Sequence, residues 1–167
     1  MSGERPTTIG AEALAAVYAH AREGAGREVC GFILRGGGAP DEARRCENRQ
    51  DALHAEDPVR FPRDSRTAYN LGPADLLFLD KSLSSKQSEG AGAGGRRRVE
   101  VIYHSHVDVG AYFSEEDVRA ALFDGEPLYP VDYLVVDAKS DGTIGGAKLF
   151  RWDGHGFAEV ATFPPER

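Results

Sequence analysis

The stretch from His104 to Asp117, HSHVDVGAYFSEED, constrains this chain more than any other. Residues 99–103, VEVIY, lead straight into it and read as a strand. Residues two apart on a strand point to the same face, so His104 and His106 aim both imidazoles at one place. If the chain turns back through Gly110, Asp117 returns as a third ligand. Two histidines and a carboxylate are a common ligand set for catalytic zinc, with the fourth position left to water. Ser114-Glu115-Glu116-Asp117 has an ordinary reading too, as a capping box with acids at the positive end of a helix. The two readings are compatible, because Ser114 can cap while its hydroxyl faces the site and Asp117 ligates from the first turn. From this chain's composition, His-x-His, seven residues, then Ser-x-x-Asp arises by chance in roughly one such chain in two thousand.

The remaining elements follow from periodicity and turn residues. Residues 1–8 read as a loose arm. From Ile9, Leu14, Val17, Tyr18 and Ala21 fall on one helical face, and Gly24 and Gly26 end the helix. Residues 28–35 form a nearly continuous apolar strand, as expected for one covered on both faces. Gly36-Gly37-Gly38 and Pro40 turn the chain into a second, antiparallel strand over 43–48. The triple glycine lacks the Gly-Lys-Ser/Thr ending of a phosphate loop. Residues 49–72 are polar, with Pro58 and Pro62, and read as a long loop of the kind that carries function. A helix follows over 73–83 with Pro73 at its first position. Residues 84–98 are a mobile Gly/Ser/Arg-rich spacer. Then come the strand at 99–104, a helix over 114–123, a buried strand over 131–137, and strands over 147–152 and 156–162. Asp141-Gly142 and Asp153-Gly154 mark the last two turns. One domain over 9–163, with a tail at 164–167, is a mixed α/β structure whose central sheet is flanked by helices.

Which carboxylate serves the two histidines as acid and base is left open by spacing alone. Glu100 shares their strand face but lies about 13 Å before His104 at strand rise. Glu115 and Glu116 belong to the helix beside Asp117 and read as solvated. Asp108 has the parity of the histidines and is a candidate support for them, although Gly110 soon ends the strand register. His20, His54 and His155 are not assigned as ligands.

The combination of HSH, seven residues and SEED resembles the JAMM motif of the MPN-plus metalloproteases. That family carries an upstream glutamate near its first strand, often as Glu-x-Cys-Gly, and Glu28-Val29-Cys30-Gly31 matches. The resemblance spans residues 28 to about 136. It implies a single mixed β-sheet domain flanked by helices, of MPN/JAMM-like, cytidine-deaminase-like architecture. It also implies that His104, His106 and Asp117 bind Zn2+, that Glu28 is the general acid/base, and that Ser114 steadies the tetrahedral intermediate. The chemistry agrees with that division of labour. Zinc with three protein ligands lowers the pKa of its water to about 7. A carboxylate moving the remaining proton contributes about 10²–10⁴ in rate.

In size and in the absence of added domains, the chain resembles the bacterial and archaeal members. These process small ubiquitin-fold sulfur-carrier proteins by cutting after a C-terminal Gly-Gly. The resemblance therefore implies a zinc peptidase or isopeptidase with such a carrier as substrate, in cysteine or other sulfur metabolism, with the 49–72 loop as the groove wall. A catalytically inactive MPN-type scaffold or binding module is the alternative. It would be metal-free, whereas this chain keeps all the ligands. A nucleobase deaminase needs His-x-Glu and Pro-Cys-x-x-Cys, which are missing.

Bulk properties set the outer limits. A net charge of −7 argues against nucleic acid as a partner. Cys30 and Cys46 lack the CxxC spacing of a structural zinc site and read as small buried hydrophobes, and two unpaired thiols fit a reducing compartment. No apolar leader or spanning run is present, so the expectation is a cytoplasmic protein with no membrane partner. Composition leaves a homodimer open.

Overall fold

The computed structural model describes residues 4–84 and 97–166. Its elements are α1 (Ala11–Glu23), β1 (Cys30–Gly36), β2 (Ala39–Cys46), α2 (Gln50–Glu56), α3 (Pro73–Leu83), β3 (Arg98–Val107), α4 (Glu115–Ala121), β4 (Leu122–Phe123), β5 (Glu126–Pro127), β6 (Asp132–Ala138), β7 (Ile144–Trp152) and β8 (Phe157–Phe163). Six strands form one mixed sheet in the order β2-β1-β3-β6-β7-β8. The expected mixed α/β architecture is therefore observed.

The sheet is covered on both faces, which explains the unbroken apolar runs of its central strands. On one face, Val17, Tyr18 and Ala21 of α1 pack against Val101, Tyr103, Leu134 and Val136. On the other, Leu79 of α3 and Ala121 of α4 pack against Phe32, Ile102 and Tyr133. Strands β3 and β6 are parallel, with Ile102 opposite Tyr133 and His104 opposite Val135. A parallel pair needs a crossover, and the segment carrying α4 supplies it. That crossover returns the chain over the C-terminal end of β3, where the two histidines lie.

The turn between β1 and β2 has both central residues at positive φ, Gly37 at 70° and Gly38 at 67°. A tight hairpin of this hand requires that, which is why glycines stand there. Gly31 meets a different constraint. It lies directly opposite Tyr103, and a Cβ at Gly31 would stand 2.4 Å from Cε1, Cζ and Oη of Tyr103, well inside van der Waals contact. The ring crosses the glycine so that its hydroxyl reaches Nδ1 of His20 at 2.7 Å. His20 is thus a partly buried partner of the core tyrosine. Burial depresses its pKa to about 4, with the Arg45 charge adding to the effect and Glu23 opposing it.

Several local expectations need correction. Residues 49–72 are not a continuous loop. They hold the short helix α2, and an isolated bridge joins Asn48 to Leu71. Strand β3 runs through Val107, so both histidines are strand residues. The helix after Ser114 ends at Ala121, and a two-stranded hairpin, β4 with β5, follows it. The described part of the N-terminal arm is tied down, since Arg5 pairs with fully buried Asp132 at 2.9 Å. Most of the expected mobile stretch at 84–98 lies outside the described residues.

Replacing Gly31 by alanine should cost about 1–3 kcal/mol, the range for overpacking a filled core. Urea denaturation of the Gly31→Ala protein checks it. An unchanged midpoint would mean that the Tyr103 ring moves without penalty.

Candidate metal centre and cleft

His104 and His106 sit two apart near the end of β3 and are almost wholly buried, at 0% and 4% exposure. Their Nε2 atoms are 3.2 Å apart. Asp117 comes from the first turn of α4. Its Oδ1 stands 3.1 Å from His104 Nε2, and its Oδ2 stands 3.2 Å from His106 Nε2. The residues that sequence spacing grouped are therefore brought together, with all three ligand atoms within 4.8 Å of one another.

The capping box holds the carboxylate in place. Ser114 N–H donates to Asp117 Oδ2 at 3.0 Å, and Asp117 N–H donates to Ser114 Oγ at 3.1 Å. Because Ser114 Oγ accepts there, its own O–H proton stays free to donate elsewhere. Helix capping and site construction use the same two side chains.

The donor set fits a cation. His106 Nδ1 lies 3.1 Å from the Gly110 carbonyl, an acceptor, so Nδ1 carries the proton. A neutral His106 then presents the Nε2 lone pair to the Asp117 carboxylate, placing two acceptors face to face. Either a second proton or a metal ion relieves that contact. Ligand atoms 2.0–2.1 Å from a tetrahedral zinc stand about 3.3 Å apart, close to the separations here. Tyr69 stacks on the His104 ring at 4.5 Å, and Tyr112 meets the His106 ring edge-on at 4.8 Å. These rings fix imidazole orientation. They do so most directly for His104, whose Nδ1 has no hydrogen-bond partner among the described residues.

Electrostatics follow from burial and proximity. Burial would raise the Asp117 pKa, but the charge of His104 and hydrogen bonds from both histidines and the Ser114 N–H hold it far below the carboxylate range. Burial would lower His106, yet Asp117, Glu28 and the Gly110 carbonyl together raise it. His104, fully buried, is lowered despite Asp117.

Glu28 is 7% exposed and lies just before β1. The β1–β3 register pairs Cys30 with His104, and two further residues set Glu28 opposite His106. Ser105 secures this extension on the far face. Its N–H donates to Val29 O at 3.0 Å, and its Oγ accepts from Val29 N–H at 2.9 Å. Glu28 itself is held from both ends of its peptide. Its N–H donates to Ser65 O at 2.6 Å, and its carbonyl accepts from Asn48 Nδ2 at 2.9 Å. Asn48 also donates to Ala68 O and accepts from the N–H groups of Gln50 and Asn70. Nothing in the spacing of the chain marked Asn48 or Ser105, because their roles exist only after the strands pair.

Glu28, His106, Ser114 and Asp117 open into a cleft of about 490 Å³. One wall is the 60–70 segment and the other includes α4 and Tyr112. The expected groove wall at 49–72 thus contributes Gln50 and most of residues 60–70 to the lining. Asp108 takes no part. It follows the end of β3 with φ 61°, and its Oδ1 accepts from Ser140 N–H at 2.9 Å in the turn after β6. His54 bonds the Phe61 carbonyl from α2, and His155 is exposed in the last turn. Cys30 and Cys46 are buried free thiols, and burial pushes Cys30 up to about 12 and raises Cys46 further still.

A family model described as prokaryotic homologs of the JAB domain matches residues 10–144. The chain belongs to that family. The match covers both the Glu28 segment and the His-His-Asp cluster of this JAB domain. The solution structure of protein DSY2949 from Desulfitobacterium hafniense has a similar fold. Its TM-score is 0.52 over 91% of this chain and 88% of that one, at 16% identity. No curated protein matches. Among the described residues, no helix is long and apolar enough to cross a membrane.

Burial raises the Glu28 carboxyl to about 8, although the His106 charge lowers it, with Asp117 raising it and Arg63 lowering it. The folded protein therefore binds this proton more tightly than the unfolded chain. Its contribution to stability is present below the unfolded value and is lost as pH rises to about 8 and beyond. Metal-free Glu28→Gln protein should gain stability relative to wild type between pH 5 and pH 9, on the order of 3 kcal/mol. Urea unfolding of both proteins in a chelator at the two pH values measures it, and a pH-independent difference would contradict it.

Proposed function

We propose that this JAB domain is a zinc-dependent peptidase. It hydrolyses the bond after the C-terminal Gly-Gly of a small ubiquitin-like or sulfur-carrier protein. The observation that carries the reading is the convergence of two imidazole nitrogens and a carboxylate at the floor of a cleft, with a buried glutamate held opposite one of the histidines. His104, His106 and Asp117 would hold the ion. When bound, zinc supplies Lewis acidity to the scissile carbonyl and to the attacking water.

The protein's own residues do the rest. Glu28 takes a proton from the water and delivers it to the departing amine. Its dry surroundings keep its affinity for that proton high enough to accept and release it near neutral pH. Ser114, whose O–H is free because its oxygen already accepts from Asp117, donates to the developing oxyanion, a contribution of about 10²–10³ in rate. The clasp of Asn48 and Ser65 on the Glu28 peptide fixes where that carboxylate can reach. The cleft walls exclude water around the tail, and an extended Gly-Gly segment, lacking side chains, threads them where a bulkier tail cannot. The identity of the ion as zinc, the carrier as substrate and a place in sulfur metabolism are parts of this proposal. So are a cytoplasmic location and the absence of nucleic-acid and membrane partners.

Glu28→Gln should keep about one zinc per chain and lose at least a hundredfold in turnover. His104→Ala should lose both. Metal analysis, together with cleavage assays on Gly-Gly-extended carriers from the native host, tests this directly. Retained turnover in Glu28→Gln removes Glu28 from the mechanism. A wild-type protein that binds no zinc at normal stability favours the scaffold alternative.

A further inference from the structure

Asn48 stands between β2 and α2, and its side-chain amide is bonded at both ends. The nitrogen donates to the Glu28 carbonyl at 2.9 Å and to the Ala68 carbonyl at 3.1 Å. The oxygen accepts from the N–H of Gln50 at 3.0 Å and from the N–H of Asn70 at 3.1 Å. An asparagine amide offers two donor hydrogens and two acceptor lone pairs, and here all of them are used. The partners also settle which end is nitrogen, since carbonyls gather at one end and N–H groups at the other. The Gln50 bond alone is an ordinary asparagine turn at a helix start. The other three reach 20 to 22 residues along the chain, and no local turn explains them.

Two of these bonds bracket Tyr69. The Ala68 carbonyl and the Asn70 N–H lie on either side of it, so Asn48 sets the backbone from which that ring extends. The ring stacks on His104 at 4.5 Å, 23° from parallel. Holding the Glu28 peptide is therefore half of what Asn48 does. The same amide places Glu28 through the start of β1 and the ring on His104 through the cleft wall.

The wall depends on such bonds. Residues 57–70 hold neither helix nor strand, and Val59 is 90% exposed. Tyr69 and Leu71 pack against the core. Elsewhere polar groups staple the segment: Ser65 to Asp51 through its N–H and its hydroxyl, and the Arg63 carbonyl to Gln50. The bridge between Asn48 and Leu71 and the bond from Arg49 N–H to the Asn70 carbonyl close its base. A segment secured this way shifts as a unit when its base gives way.

We propose that Asn48 is a positioning residue that joins the cleft wall to Glu28, so that the wall, the Tyr69 ring and the Glu28 carboxylate keep one arrangement over the histidines. Two substitutions divide its roles. Asn48→Asp keeps the bonds from Gln50 and Asn70 and loses the two donor bonds, whereas Asn48→Ala loses all of them. The effect on turnover rests on the hydrolase reading above. The effect on the Tyr69 ring does not.

The test compares the zinc-loaded full chain with its Asn48→Ala and Asn48→Asp variants. Zinc content, NMR contacts between the Tyr69 and His104 rings, and steady-state cleavage of Gly-Gly-extended carriers from the native host are measured. Both variants should keep about one zinc per chain. Both should lose about ten- to a hundredfold in kcat with KM within about threefold, the scale for a reacting group misplaced by about 1 Å. The contact between the Tyr69 and His104 rings should be lost in Asn48→Ala. If that variant does not fold, Asn48→Asp, which keeps half of the bonds, decides by kcat and by a weakened ring contact. Unchanged kcat in Asn48→Asp shows that the donor bonds do not place Glu28 and overturns the proposal. A raised KM at unchanged kcat assigns Asn48 to substrate binding, and loss of zinc assigns it to the ion site, and either result overturns it as well. A wild-type protein that cleaves no carrier removes the hydrolase reading. The ring contact then decides alone, and its survival in Asn48→Ala overturns the joining of wall and site.

Discussion

The antiparallel pairing of β1 with β3 is the contact on which the rest of the site depends. Cys30 opposite His104 is the register, and Ser105 with Val29 secures it by two hydrogen bonds. A slip of one residue would turn Glu28 to the face where α1 packs and bring Val29 to the cleft. Gly31 helps to prevent that slip, because only a residue without a side chain fits beneath Tyr103. The Glu-x-Cys-Gly motif therefore has a mechanical meaning: an acid for the cleft, a small buried residue opposite His104, and a glycine for the tyrosine.

The parallel pairing of β3 with β6 imposes the second constraint. A parallel neighbour requires a crossover, and a crossover helix begins near the C-terminal end of the strand it leaves. That is where Asp117 is needed. The capping box that starts α4 also orients the Asp117 carboxylate, so helix initiation and ligand placement cannot be optimised separately. Losing Ser114 would remove a cap and a carboxylate support together. Single-residue effects at this site should therefore be strongly non-additive.

The sequence made the local half of this site legible and left the long-range half obscure. His-x-His on a strand and Ser-x-x-Asp at a helix start are readable because period and capping act over a few residues. Glu28 is 76 residues from His104, and no periodicity reports a register across that distance. Only the resemblance to a known family pointed to it. The 49–72 segment misread as a loop because α2 is seven residues long and polar, held less by apolar packing than by Asn48, Ser65 and Gln50. The β4–β5 hairpin has two-residue strands, too short to show alternation. Asp108 had the right parity to support the histidines, but parity stops counting where φ turns positive and the strand ends.

Charge gives the cleft a direction. Its floor gathers Glu28 and Asp117, two carboxylates that burial alone would keep protonated, and its mouth gathers arginines. Asp117 stays ionised because two imidazoles and a backbone N–H face it, whereas Glu28 has no such partners and holds its proton more tightly. Two acids a few residues from the same histidines are thereby driven apart in acidity, one fit to bind a cation and the other to carry a proton. The same separation couples ion binding to pH. A metal ion needs the His106 Nε2 lone pair, and the neighbours that raise the His106 pKa let protons compete for it on the acid side.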